Sequence, residues 1–453
     1  MLMLAARCRF DVVIALAIAA AGCSEPTRAG SGGSELRYAN VAATASPTVT
    51  AALPSEAPRD TTLDVQITGS GFDKGSNASF TLNGVVDARV RVNSTRYVKA
   101  TQLIANVTIA ADAVAQLYDV AVVTSTGKKG IGTELFTVAL RGVGLTDGTS
   151  AIAVNDLGDV VGRGTTLLSC TSTAAPMLWH LDGVPVRLPL GTYCGGTAQA
   201  INHAGVISGS LSGGAANASG LWIPSGSGFT LQDIAPAPDG YRPITSGGLN
   251  DNNEQIGWRQ FVAGLYWWSP ATGWVPMQVP VGATACRVAK AINNLGVISG
   301  SCSVGGAAYD GYYWPSHTAT PVLLPRPVGA GDVTPRDIND AGVIVGYLYG
   351  SATQAVIWMP NGAGYTVSFL PDYGLGSVAY GIASDGTIAG SVSTKSSGRN
   401  PVLWSPGGGS LMFLELTKPG TGGDANDVAQ TSVGIVASGS QSQLGAIRWR
   451  STP

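Results

Sequence analysis

Charge is scarce in this 453-residue chain: Asp, Glu, Lys and Arg together make up 12%, against about 25% in an ordinary soluble domain. Helices draw on those residues for their wet faces, so a mostly helical fold is excluded. Histidine is rarer still, with only His180, His203 and His317. No C-x-x-C pair, H-E-x-x-H motif, G-x-S-x-G elbow or P-loop accompanies them, so neither a metal, another cofactor nor a standard catalytic constellation is expected. The formal net charge is −2. That balance offers no field to recruit a polyanion, so nucleic acid is not an expected partner. Long apolar runs are also missing. The longest, Val12 to Ala21, is too short for a permanent span, which needs roughly 20 residues.

What is abundant is glycine, 62 residues, beside a hydrophobic share of 45%. Enough apolar surface exists for a buried core. Glycine between β-branched runs points to strands joined by tight turns, hence an all-β fold.

The N-terminus has its own logic. Arg7 and Arg9 precede the apolar run Val12 to Ala21, which ends in Ala20-Ala21-Gly22-Cys23. Residues 1–22 have the pattern of an export signal. The final four residues resemble the bacterial lipobox, with Ala20 where that family usually has Leu. The resemblance implies lipidation of Cys23, contact with the membrane through the lipid alone, and, with Ser24 following, sorting to the outer membrane. Residues 23–46, opening on the polar run Ser-Glu-Pro-Thr-Arg-Ala-Gly-Ser-Gly-Gly-Ser after Cys23, read as a flexible tether.

Four further cysteines remain: Cys170, Cys194, Cys286 and Cys302. An even number in an exported chain points to disulfides. Neighbours in sequence would pair as Cys170–Cys194 and Cys286–Cys302, although four cysteines allow three connectivities.

Residues 47–140 alternate short β-rich runs with turns, among them Thr62 to Thr68, Ala78 to Leu82, Leu103 to Ile109 and Tyr118 to Thr124. Such spacing suits a small β-sandwich. The stretch VQITGSGFDKGSNASFTLNG, with Gly69, Gly71 and Phe72, resembles the IPT/TIG family of immunoglobulin-like domains. The later run QLYDVAVVTSTGKKG resembles that family's closing strands. The resemblance implies a spacer.

Residues 141–453 carry the strongest signal, a repeat. The segments AVNDLGDVVG, AINHAGVISG, GLNDNNEQIG, AINNLGVISG, DINDAGVIVG and GIASDGTIAG are followed by a stretched copy, DANDVAQTSVGIVASG. The Asn position falls at Asn155, Asn202, Asn250, Asn293, Asn339, Ala383 and Asn426. A second marker keeps step with it: Trp179, Trp222, Trp268, Trp314, Trp358, Trp404 and Trp449. The Asn/Asp/Gly segment reads as a tight turn between two antiparallel strands, with Gly at positive φ. A third strand ends in Trp and a fourth follows another turn. Four strands in about 45 residues is the size of a propeller blade. The fold expected is therefore an immunoglobulin-like β-sandwich followed by a seven-bladed β-propeller. The last unit has no room for a fourth strand after Trp449, and Leu140 to Leu145 is expected to supply it and shut the ring. With strands alternating in direction, the four cysteines would lie in loops on one rim. The units resemble the extracellular HAF repeat family, most clearly in AINHAGVISGS, AINNLGVISGS and DINDAGVIVGY; this implies location and architecture more than activity.

Function is expected where the copies differ. Three residues before the turn Asn stand Ile152, Gln199, Gly247, Lys290, Arg336, Tyr380 and Gly423. On an innermost strand, Gln199, Lys290, Arg336 and Tyr380 would face the central channel. In the third unit Trp258, Tyr266, Trp267, Trp268 and Trp274 crowd together; exposed, they would form a stacking platform, and buried, a bulky core. The functional expectation is a surface protein that binds glycan or protein rather than an enzyme. The alternative is a propeller hydrolase or lyase acting on extracellular polysaccharide.

Overall fold

The computed structural model describes residues 45–165, 174–214, 217–259, 263–327, 330–362, 364–394, 398–416, 421–442 and 445–451, with the side chains of 244–247 and 287–290 set aside. Cys23, Cys170 and the expected signal and tether (1–44) lie outside them. Everything from Ala45 onward belongs to one compact unit.

Residues 47–140 form two sheets. One pairs Thr48–Leu53, Thr61–Ser70, Gln102–Ile109 and Val90–Lys99 in that order; the other pairs Glu56–Pro58, Lys129–Ala139, Leu117–Val123, Asn77–Leu82 and Val85–Val86. The alternation in QLIANVTI puts every second side chain inside. Val65, Ile67, Phe80, Leu103, Tyr118 and Phe136 are all buried in a single core between the sheets. Gly69 is required by a close approach: a Cβ there would lie 1.9 Å from the carbonyl oxygen of Thr48.

After residue 141 the described chain folds into seven four-stranded antiparallel sheets, each made of strands adjacent in sequence except the last. The first comprises Gly148–Val154, Val160–Thr165, Ala174–Trp179 and Pro185–Arg187. The last takes its outer strand, Gly142–Gly144, from ahead of the first unit and pairs it with Gly445–Arg450. Gly148–Val154 in turn packs against the strands of that last sheet. The expected closure is thus present, because an unpaired edge strand is completed by one from the far end of the array. This is a β-propeller.

The marker tryptophans fill the spaces between sheets. All seven are buried, and six donate Nε1–H to a backbone carbonyl at 2.7–2.8 Å, as Trp314 does to Gln278 and Trp358 to Pro325. Each accepting carbonyl lies 33–36 residues upstream. A large apolar ring with one donor is suited to that position, since it covers a neighbour's surface while its only polar atom is satisfied.

The turn Asn does more than shape its own loop. Its Oδ1 accepts local amides, as Asn293 does from Leu295 and Val297. Its Nδ2 reaches the next sheet: Asn155 donates to the carbonyl of Asn202, Asn202 to Asn250, Asn250 to Asn293, Asn293 to Asn339, and Asn339 to Ala383, at 3.0–3.2 Å. Ala383 accepts but has no side chain to pass the chain onward. The expected glycine follows at positive φ in Gly158, Gly205, Gly296, Gly342 and Gly386, and in the third unit Asn253 (φ 61°) takes that conformation instead.

The Cys286–Cys302 disulfide is present, but not between rim loops. The two residues are directly opposed on Ala283–Ile292 and Ile298–Val304, the first two strands of the fourth sheet. The stretched strand Ala283–Ile292 reaches farther than the turn pattern indicated. Cys194 is also disulfide-bonded.

Candidate functional site

The variable column has a structural cause. Strand register slips between Ala151 and Ala153, Ala198 and Ala200, Pro335 and Asp337, Ala379 and Gly381, and Ala425 and Asp427. The residue skipped in each case is a β-bulge: Ile152, Gln199, Arg336, Tyr380 and Asn426. Slips spanning Gly247 and Lys290 occur in the third and fourth sheets. A bulge leaves one residue unpaired and re-aims its side chain. Ile152, Gln199, Tyr380 and Asn426, from four different sheets, line one cavity of about 40 Å³ together with Asp337 and Asp427. In the last unit the column therefore passes through Asn426, not Gly423, because the stretched copy displaces the turn.

Above the bulges lies a mouth of about 440 Å³ to which all seven sheets contribute. Its rim carries the residue after each turn Asn, and these also bond in series. The amide of His203 donates to Asp251, that of Asp251 to Asn294, and that of Asn294 to Asp340, at 2.8–2.9 Å. His203 Nδ1 lies 2.7 Å from Asp156. That hydrogen bond, with the carboxylate's charge, raises the imidazole above its ordinary range. Most rim carboxylates are thus engaged in holding backbone.

Another depression is a cleft of about 460 Å³ between the fifth and sixth sheets, lined by Tyr347, Tyr349, Tyr380, Arg399, Thr353, Ser377, Ser391 and Ser393. Tyr347 meets Tyr349 edge-on at 5.3 Å and Tyr380 at 6.5 Å. Arg336 and Arg399 approach the Tyr380 ring at 5.5 and 5.9 Å. Arg399 donates to the Tyr380 hydroxyl at 2.6 Å and is held by Asp424 at 2.9 Å. Burial pushes the Tyr380 phenol up to about 12, so it stays protonated. Tyr349 remains 47% exposed at the cleft's edge. Among the described residues this lining holds no carboxylate or imidazole.

Of the residues singled out from sequence, Gln199 and Tyr380 reach the axis and Arg336 packs on Tyr380. The Lys290 side chain lies outside the described residues. The tryptophan platform does not form: Trp267, Trp268 and Trp274 are buried in inter-sheet cores, and Trp258 is half-buried against Trp267's core. The Trp267 ring stacks instead on His317, with centroids 3.8 Å apart. Each sheet must fill the gap to its neighbour, and in the third unit, where Gln255 replaces the usual Ile or Val opposite the marker Trp, the extra rings do so.

Tyr347, Tyr349 and Arg399 were not anticipated. One signal was available: the residue after the second-strand glycine is Ser in four units, Ser210, Ser301, Ser391 and Ser440, but Tyr347 in the fifth. Its significance needs Tyr380 from the next sheet, which only folding brings near.

No protein-family model matches the chain, and no curated protein matches it. Similar solved structures are of β-propeller proteins. YCF48 from Cyanidioschyzon merolae is 11% identical, with a TM-score of 0.47 over 69% of this chain and 99% of that one. A prolyl endopeptidase is 9% identical with a TM-score of 0.42; the match covers 78% of this chain and 55% of the endopeptidase, so this chain spans about half its length. TolB from Acinetobacter baumannii is 11% identical, with a TM-score of 0.34 over 67% and 65% of the two chains. Likeness at this level carries no functional argument, and the architecture rests on the strand pairing described above.

Proposed function

We propose that this protein is an exported binding protein, anchored to the bacterial envelope through Cys23, that displays a seven-bladed propeller on an immunoglobulin-like spacer and binds carbohydrate in the cleft between the fifth and sixth blades. The export signal and lipobox-like residues support the location. The Cys286–Cys302 disulfide is compatible with an oxidising compartment.

The observation that carries the binding reading is the cleft lining. Tyrosine faces suit the C–H faces of a sugar ring, while Arg399 and the half-buried hydroxyls of Thr353 and Ser393 suit its hydroxyl groups. Glycoside cleavage would need a pair of carboxylates flanking the bond, and the described lining supplies none, which favours binding over hydrolysis. The test is direct titration of the full chain against a panel of purified extracellular and envelope polysaccharides, with reducing-end release followed in parallel. Saturable binding that falls at least tenfold in Tyr349→Ala, at unchanged melting temperature, is expected. Release of reducing ends would replace this reading with the hydrolase one.

A further inference from the structure

A further cavity, of about 290 Å³, lies where the sandwich meets the ring, and four guanidinium groups line it. Arg59 follows the sandwich strand Glu56–Pro58, Arg141 sits in the connection to the ring, and Arg448 and Arg450 lie on the closing strand Gly445–Arg450. Asp60 and Asp182 are the only acids in the lining. Among the described residues none of the four arginines forms an ion pair.

Arg448 is the unusual one. In the six preceding units the residue before the marker Trp is Leu178, Leu221, Trp267, Tyr313, Ile357 and Leu403; only the seventh places a charge there. The side chain is 4% exposed. Its Nη1 donates to the carbonyl of His180 at 2.8 Å, while Nε has no acceptor, and neither has Nε of Arg59. A buried donor left unpaired costs about 1–3 kcal/mol, and like charges gathered in one cavity add repulsion. Burial first, then Arg450, lower Arg448 to about 10; burial also lowers Arg59. Four guanidinium groups face two carboxylates, Asp60 and Asp182, so the cavity keeps an excess of positive charge that an anion would balance.

We propose that this cavity binds a small molecule carrying a phosphate or carboxylate group on an apolar body. The guanidinium groups take the anion in forked hydrogen bonds. Ala111, Leu140 and Val143 offer the apolar wall, and Val143 is 51% exposed. The site is separate from the tyrosine cleft and stands or falls apart from it.

The experiment is calorimetric titration of the full chain with octyl phosphate, inorganic phosphate and octyl glucoside. One-to-one binding of octyl phosphate, at least tenfold tighter than either of the others, is expected. Arg448→Gln should weaken it at least tenfold. Because that residue is also bonded to His180, the double variant Arg141→Gln/Arg450→Gln, on more accessible side chains, provides the same reading without disturbing the core. Absent binding, or an affinity unchanged in the double variant, overturns the site. Equally tight octyl glucoside overturns its anionic specificity, and equally tight inorganic phosphate overturns the apolar wall.

Discussion

Asn426 of the last sheet donates from Nδ2 to the carbonyl oxygen of Ala151 in the first, 2.7 Å away. Beside it, Asp427 accepts the amide of Val154. The same kind of bond that joins the first six sheets in series therefore also joins the last sheet to the first. Ala383 has no side-chain amide to carry the relay from the sixth sheet to the seventh; between the fifth and sixth a second link accompanies the Asn339 bond, because Asp337 accepts the amide of Ile382 at 2.8 Å.

The relay has a measurable cost of removal. Asn293 is 4% exposed and serves its own turn and the neighbouring sheet together. Asn293→Ala should lower stability by about 2 kcal/mol, as loss of a doubly bonded buried amide does. Asn293→Asp, which keeps the acceptor but not the donor, should also destabilise. Urea titration of the three proteins measures both; an Asp variant as stable as the parent would show that only the turn matters.

Closure depends on a close approach at Gly142. A Cβ there would sit 2.7 Å from Ile447 Cδ1 and 2.8 Å from Trp449 Nε1. Gly142→Val should displace the strand Gly142–Gly144 and lower the melting temperature by several degrees. It should also speed hydrogen exchange at Ile447, Arg448 and Trp449 relative to the central sheets.

The disulfide should contribute stability that reduction removes. Cys286 and Cys302 are separated by 16 residues, and closing a loop of that size in the unfolded chain is worth roughly 3 kcal/mol. The Cys286→Ser/Cys302→Ser double variant should melt lower than the parent and be insensitive to reductant at that site.

Glu56 should make stability fall as pH rises. Its carboxyl is held against the ring, accepting the Leu416 amide at 2.6 Å, and burial, with Glu415 nearby, raises it from 4.5 to about 7. A raised folded value means that the folded state holds the proton more tightly. The stabilisation is present in full below about 4.5 and is lost as pH climbs through 7. At about 1.36 kcal/mol per unit the effect is at most about 3 kcal/mol. Melting curves between pH 5 and 8 should show the decline, and Glu56→Gln should flatten it.

The repeat pitch, the tryptophan beat and the polar turns were written in the chain, because each depends on contacts within about 45 residues that recur seven times. The strand runs of the sandwich were legible for the same reason: alternation is local. The closing strand could be placed by counting. What only the tertiary structure decided is where side chains from different sheets meet. The bulges at Gln199, Arg336 and Tyr380 leave no composition signature, since a register slip depends on the partner strand. The tryptophans of the third unit became core because neighbouring sheets closed over them. Tyr347 and Arg399 form a cleft with Tyr380, and Arg59 meets Arg448, across gaps of chain that no local pattern spans.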